Sequence, residues 1–110
     1  MNKTLEAEVT QLHAEICAGL ADPNRILILY TLSHSPRNVT EMCNELDMPQ
    51  PLVSRHLKVL RERGMVTTER RGTIVIYSLA DKRLTEALDL LRAAMRDMLT
   101  RRAELVEVLR

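Results

Sequence analysis

The sequence has no Trp and no Phe, and Tyr30 and Tyr77 are its two aromatic residues. Its core must therefore be aliphatic and rich in methionine, of which there are six, and such a core suits packed helices. Glycine is scarce, with three in 110 residues. No Gly-rich phosphate loop, nucleophile elbow or paired His for zinc hydrolysis appears, so the enzyme classes built on them are excluded. Two cysteines, Cys17 and Cys43, make no disulfide framework, and in a reducing cytosol they are expected as free thiols. Long apolar runs are also missing. The longest, Ile26 to Tyr30, is far too short to span a bilayer. Met1 to Leu5 offers no apolar signal-peptide core. A soluble cytoplasmic protein without a membrane partner is expected.

What is present is enough for one folded unit. A chain of 110 residues is expected to form one domain, spanning 1–110. Hydrophobic residues make up 45% of it, so it is not compositionally disordered. The net charge of +1 says nothing by itself for nucleic acid. Its distribution says more. Residues 1–22 carry Lys3 against Glu6, Glu8, Glu15 and Asp22. Residues 55–71 carry Arg55, Lys58, Arg61, Arg63, Arg70 and Arg71 against Glu62 and Glu69. One short stretch holds the positive field, as a phosphate-binding surface would.

Hydrophobic spacing predicts the elements. Leu5, Val9, Leu12, Ile16 and Gly19 form one helical stripe that ends near Ala21. Asp22-Pro23 reads as an N-cap with Pro at the first helical position, opening a helix to about Leu32. Ser33 to Arg37 reads as a loop. Asn38 and Glu41 have capping-box spacing and start a short helix to about Leu46, with Val39, Met42, Cys43 and Leu46 on one face. After the turn Asp47-Met48-Pro49, a helix runs from about Gln50 to Arg63 and stops before Gly64. Its inner stripe is Val53, Leu57 and Leu60. Its outer face carries Gln50, Ser54, Arg55, Lys58 and Arg61. Met65–Arg70 and Ile74–Leu79 read as strands joined by Arg71-Gly72-Thr73, a hairpin with a basic tip. Asp81 caps a last helix to about Leu109, with the stripe Leu84, Leu88, Leu91, Met95, Met98, Arg102, Leu105, Leu109.

The fold class is mainly α with a small β-hairpin wing, in the order α-α-α-α-β-β-α. A short helix, a tight turn, a longer helix and a basic hairpin make a winged helix-turn-helix. The two terminal stripes exceed what one small core needs, which predicts a homodimer through the terminal helices.

An α-helix fits the major groove of duplex DNA, where all four base pairs can be told apart. Gln50 and Ser54 can reach base edges, Arg55 can bond two acceptors of guanine, and Lys58 suits phosphate. Pro51 is tolerated in the first turn because its N–H would have no partner there. His56 is expected at a phosphate or in the core. Arg70, Arg71 and Thr73 at the hairpin tip can grip a flanking phosphate or enter the minor groove. A solvated charged face is the plain alternative for such charges. The turn, the buried stripe and the basic hairpin in one frame weigh against it. A winged helix used for docking proteins would call for an apolar or acidic outer face, and this one is basic and polar. Repressor and activator are not separable at this level.

These residues resemble the ArsR/SmtB family of winged-helix repressors. Leu20-Ala21-Asp22-Pro23-Asn24-Arg25-Ile26 is similar to the family's opening of its second helix. Gln50-Pro51-Leu52-Val53-Ser54-Arg55-His56-Leu57-Lys58-Val59-Leu60-Arg61 looks like its reading helix, and Gly64-Met65-Val66 with Arg71-Gly72 like its wing. The resemblance implies a homodimeric repressor on double-stranded operator DNA, released by an inducer. Pro49 stands where the family usually has a capping Ser, so the reading helix loses a side-chain cap and its start is expected to be less fixed until DNA binds. The family's usual thiol positions fall on Asn38 and Thr40, and residues 81–110 hold no His or Cys. Both usual metal sites are thus expected to be absent, and no cofactor is expected.

Cys17, Cys43, His13, His34 and His56 remain. Cys43 lies on a buried stripe and Cys17 beside one, so both read first as core residues. Chemically, they are also the side chains best suited to sense an oxidant, a persulfide or a soft metalloid. His13 and Cys17 are four apart and could be half a metal site, short of a closed tetrahedral zinc set. His34 lies in the loop and reads as incidental.

Overall fold

A computed structural model describes residues 2–110 of the chain. Its elements are α1 (Lys3–Leu12), α2 (Pro23–His34), α3 (Val39–Leu46), α4 (Gln50–Glu62), β1 (Val66–Arg71), β2 (Ile74–Leu79) and α5 (Arg83–Leu109). The expected element order is found, with the bounds shifted by one to three residues.

Local chemistry sets the helix ends. Asp22 accepts the Asn24 N–H at 2.8 Å and Pro23 occupies the first turn of α2. Asn38 and Glu41 form a reciprocal capping box at the start of α3, at 2.8 and 2.9 Å. Asp81 accepts the Arg83 N–H at 2.9 Å. The Arg83 guanidinium on the same carboxylate holds its pKa down at about 2. Gly64 (φ +72°) ends α4 in the left-handed region that glycine enters freely.

The first helix carries a feature that hydrophobic spacing did not predict. After Leu12 the backbone makes a π-helical turn, His13–Cys17, and stays helical to Gly19. Gly19 is buried, and a Cβ there would lie 2.6 Å from the Met65 sulfur. The end of this helix therefore packs closely on the segment that follows α4.

Ile28, Leu29 and Leu32 of α2, Met42 of α3, and Val53, Leu57 and Leu60 of α4 form the core with Met65, Val66 and Leu88. The core is aliphatic and methionine-rich, as the lack of large aromatics requires. β1 and β2 are antiparallel, with Val66 opposite Leu79 and Arg71 opposite Ile74. The turn between them is Gly72-Thr73, with Gly72 at φ +64°. Positive φ at the first turn residue matches the twist of a two-residue hairpin. Arg37 and Tyr77 exchange main-chain hydrogen bonds at 3.0 and 2.8 Å, so part of the expected loop pairs with the free edge of β2.

Beyond Leu88 the apolar side chains of α5 are largely exposed, while Asp89 and Arg92 still meet Tyr30 of α2. Leu91, Met95 and Met98 are 63, 52 and 50% exposed. Leu5, Val9 and Leu12 of α1 are about half exposed as well. The radius of gyration is 17.4 Å, against roughly 13 Å for a compact chain of this size. The terminal helices thus carry apolar stripes that the single chain does not cover.

Candidate nucleic-acid interface

The site is built on α3, the turn after it, α4 and the hairpin. Asp47 closes α3 in the left-handed conformation (φ +51°), which the short polar side chain of Asp tolerates better than most residues. The turn brings α4 in with its apolar face down. Val53, Leu57 and Leu60 are buried in the core, so the opposite face must look outward. Gln50, Pro51, Ser54, Arg55, Lys58 and Arg61 are all exposed along that face. Pro49 precedes the helix without a side-chain cap, as its chemistry requires.

The hairpin stands beside α4. Arg70, Arg71 and Thr73 are exposed at or next to its tip. Arg71 lies 3.3 Å from Glu69, both side chains about two-thirds exposed. A surface pair of this kind is weak and leaves Arg71 available for a phosphate. The wing is braced from behind. Arg37 donates to Glu45 of α3 at 2.8 Å and to the Ser35 carbonyl at 2.7 Å, and its guanidinium also meets the Ser35 hydroxyl. Together with the Arg37–Tyr77 bridge, this ties the hairpin to α3.

His56 corrects one expectation. Of the two places open to it, a phosphate contact or the core, the DNA contact falls: it is 3% exposed on the inner face of α4. Three residues after Val53 and four before Leu60, it shares their side of the helix, and that spacing was the signal for its burial. Arg25 of α2 donates to His56 Nδ1 at 3.3 Å, and His56 Nε2 lies 3.8 Å from Asp22. Burial pushes the His56 pKa below its ordinary value; Asp22 opposes that shift, and Arg25 and Arg55 add to it. A buried ring cannot reach a phosphate.

Cys17 corrects another. It is exposed on the π-helical turn of the single chain and is not core, whereas Cys43 is half-buried on α3. His13 and His34 are exposed. Among the described residues, no three His, Cys, Asp or Glu side chains cluster as a metal site. Asn38 is engaged in capping α3.

Residues 22–68 match the profile of the family described as "Bacterial regulatory protein, arsR family". The chain is 47% identical over 77 residues to the transcriptional repressor SmtB of Mycobacterium tuberculosis, covering 70% of this chain and 57% of that protein. It therefore spans less than two-thirds of that relative's length. The crystal structure of Rv0081 from M. tuberculosis superimposes with a TM-score of 0.76 at 33% identity, covering 86% of this chain and 96% of that one. The chain belongs to the arsR family of bacterial regulatory proteins. A solution structure of the homodimeric winged helix-turn-helix DNA-binding domain of Mb0332 from Mycobacterium bovis, described as a possible ArsR-family regulator, matches this arsR-family chain with a TM-score of 0.74. At 24% identity, over 90% of this chain and 91% of that one, it shows the shared fold.

Proposed function

We propose that this arsR-family protein is a sequence-specific DNA-binding transcriptional regulator, a homodimer that represses its promoter until an inducer acts on it. One observation carries the reading. A single helix, α4, buries Val53, Leu57 and Leu60 and turns Gln50, Ser54, Arg55 and Lys58 outward, beside a wing tipped by Arg70, Arg71 and Thr73. Short polar and basic side chains on a helix anchored from below are what major-groove reading needs. In this reading Gln50, Ser54 and Arg55 meet bases, Pro51 abuts the groove, and Lys58, Arg70, Arg71 and Thr73 meet the backbone.

Repression is supported by the name of the SmtB relative, and the dimer by the homodimeric Mb0332 domain. The chain's own surface supports the dimer too. A mainly apolar cleft of about 390 Å³, lined by Leu12, Ile16, Leu20, Leu84, Leu88 and Leu91 with Asp81 and Arg83 also on its wall, continues the bare stripes of α1 and α5. A second copy would bury that seam about a twofold axis. Among the described residues, no helix is long and apolar enough to cross a membrane, and the cytoplasm, where promoters lie, is the proposed site of action.

For the inducer, the exposure of Cys17 favours thiol chemistry by an oxidant, a persulfide or a soft metalloid. The test of the main reading is capture of genomic fragments by the purified protein, followed by sequencing. The expected product is an imperfect inverted repeat with half-sites about one helical turn apart. Recovery of no fragment above a random-sequence background overturns the reading. Transcription in vitro from a captured promoter then separates repression from activation.

A further inference from the structure

We propose that His56 is a positioning residue for DNA reading, its imidazole holding α4 in register with the end of the first helix through Arg25. The inference rests on the DNA-binding reading above.

The geometry starts from Arg25. Its guanidinium donates to the Gly19 carbonyl at 2.7 Å and to the Ala18 carbonyl at 3.3 Å, the last helical residues of the first segment. The same group meets His56 Nδ1 at 3.3 Å. Arg25 thus bridges the helix that carries the proposed subunit seam to the helix that reads DNA.

Donor chemistry fixes the state of the ring. A guanidinium has only donors, so Nδ1 must offer its lone pair and the proton must sit on Nε2. Nε2 is buried, faces Asp22 Oδ2 at 3.8 Å, and has no hydrogen-bond partner among the described residues. The other Asp22 oxygen is occupied by the Asn24 N–H. The ring is therefore gripped at one nitrogen, by Arg25.

Neighbouring side chains give the grip its consequence. Arg55 precedes His56 and points outward, while Leu57 follows it in the core. Rotation or translation of α4 at His56 displaces Arg55 directly. The charged groups that meet the ring are Asp22 before α2 and Arg25 on α2, and outward-pointing Arg55 on α4 adds a positive field. Protonation of Nδ1 would set an N–H against the Arg25 guanidinium, so the bridge requires the neutral ring.

The experiment measures affinity for captured operator and for random duplex from about pH 8 to about pH 5, a range that spans histidine titration. The ratio of the two cancels changes that are common to both DNAs. Wild type should lose about tenfold of its operator preference on acidification, the worth of one charge-assisted hydrogen bond. His56→Asn places an acceptor that does not titrate near Nδ1, and should keep the preference at every pH. His56→Phe fills the space without an acceptor, and should lose the preference at every pH. A purely structural role would lower the melting temperature of both variants and leave the ratio unchanged. Wild-type preference in the Phe variant, or a wild-type pH slope in the Asn variant, overturns the proposal. If the Phe variant does not fold, nitrogen NMR of wild-type His56 decides: a proton on Nε2 supports the bridge and a proton on Nδ1 overturns it. Wild type that shows no operator preference at any pH overturns the DNA-binding reading, and the inference falls with it.

Discussion

The guanidinium of Arg63, at the end of α4, donates to the main-chain carbonyl of Ala14, 49 positions earlier in the chain, at 2.5 Å. It also reaches the Glu15 carbonyl at 3.3 Å. Both carbonyls lie in the π-helical turn of the first helix. Arg63 and Arg25 together hold the last turns of that helix against α4. Removing this shared N–H donor leaves those carbonyls without their charged partner, so Arg63→Ala should cost about 1–2 kcal/mol in urea unfolding. Arg63→Lys should recover only part of it, because an ammonium is a compact and more strongly hydrated donor. A midpoint unchanged by Arg63→Ala would show that the contact adds nothing to stability.

The outer face of α4 and the wing should fail differently when truncated. Arg55 is placed to read bases, so Arg55→Ala should weaken operator binding by about 1–3 kcal/mol and relax one base position. Arg71 is placed on the backbone, so Arg71→Ala should weaken binding to any sequence and lower the salt slope by about one. Binding titrations on operator and random duplex at several salt concentrations separate the two. Equal losses on both DNAs for Arg55→Ala would remove it from the base-reading role.

Much of this arrangement was legible because local chemistry and global packing agree. The capping box of Asn38 and Glu41, the Asp22-Pro23 start, the Gly64 stop and the β-branched run of β2 all state their structure within a few residues. What was not legible depends on distant partners. Nothing in Ser35 to Arg37 announces that this stretch will pair with Tyr77, since an edge pairing is decided by where β2 comes to lie. The π-helical turn keeps the apolar composition of an ordinary helix and changes only its phase. His56 was open between a phosphate and the core, and its phase, three after Val53 and four before Leu60, decides for the core. The contacts of Arg25 with His56 and of Arg63 with Ala14 and Glu15 are long-range in sequence, and no spacing rule points to them.

The uncovered stripes of α1 and α5 predict self-association. Wild type should sediment at about twice 12.6 kDa at micromolar concentration. Met95 is half exposed in the single chain and lies midway along the proposed α5 seam. Met95→Glu would place two unpaired carboxylates in a twofold interface, once from each copy. Its self-association should weaken at least about tenfold, with the circular dichroism of the monomer retained. A monomeric mass for wild type would refute the seam.

The depressed pKa of His56 makes folding stability pH-dependent with a definite sign. Burial lowers the folded value below that of the unfolded chain, so the unfolded state takes up the proton first as the solution is acidified. The stability contribution is complete above the ordinary value of about 6.5 and is lost as pH falls through the folded value. Denaturant midpoints should therefore drop between about pH 7 and about pH 5, and His56→Asn should flatten that part of the curve. A wild-type midpoint that is level across this range would mean that His56 carries no linkage.

The two thiols should differ in reactivity, and the difference bears on the inducer. Cys17 is exposed on the π-helical turn, while Cys43 is half-buried on α3 against the core. Alkylation requires the thiolate to meet the reagent, so iodoacetamide should label Cys17 first and Cys43 slowly, as mass spectrometry of a time course would show. Each residue sits where a modification could be felt at the DNA. Cys17 lies in the turn gripped by Arg63 and close to the end held by Arg25, and Cys43 lies on the helix directly before α4. A bulky or bridging adduct at either place would press on α4, whose side chains must meet base edges within a few tenths of an ångström to bond them. Peroxide, a persulfide donor or arsenite should then lower operator affinity of wild type and leave a Cys17→Ser, Cys43→Ser double variant unaffected. Zinc, nickel and cobalt at low micromolar levels should leave both proteins bound, since Asn38 and Thr40 are poor ligands for them. Wild-type binding that ignores all three thiol reagents would refute a cysteine sensor, and release by zinc would move attention to His13 and Cys17 as ligands.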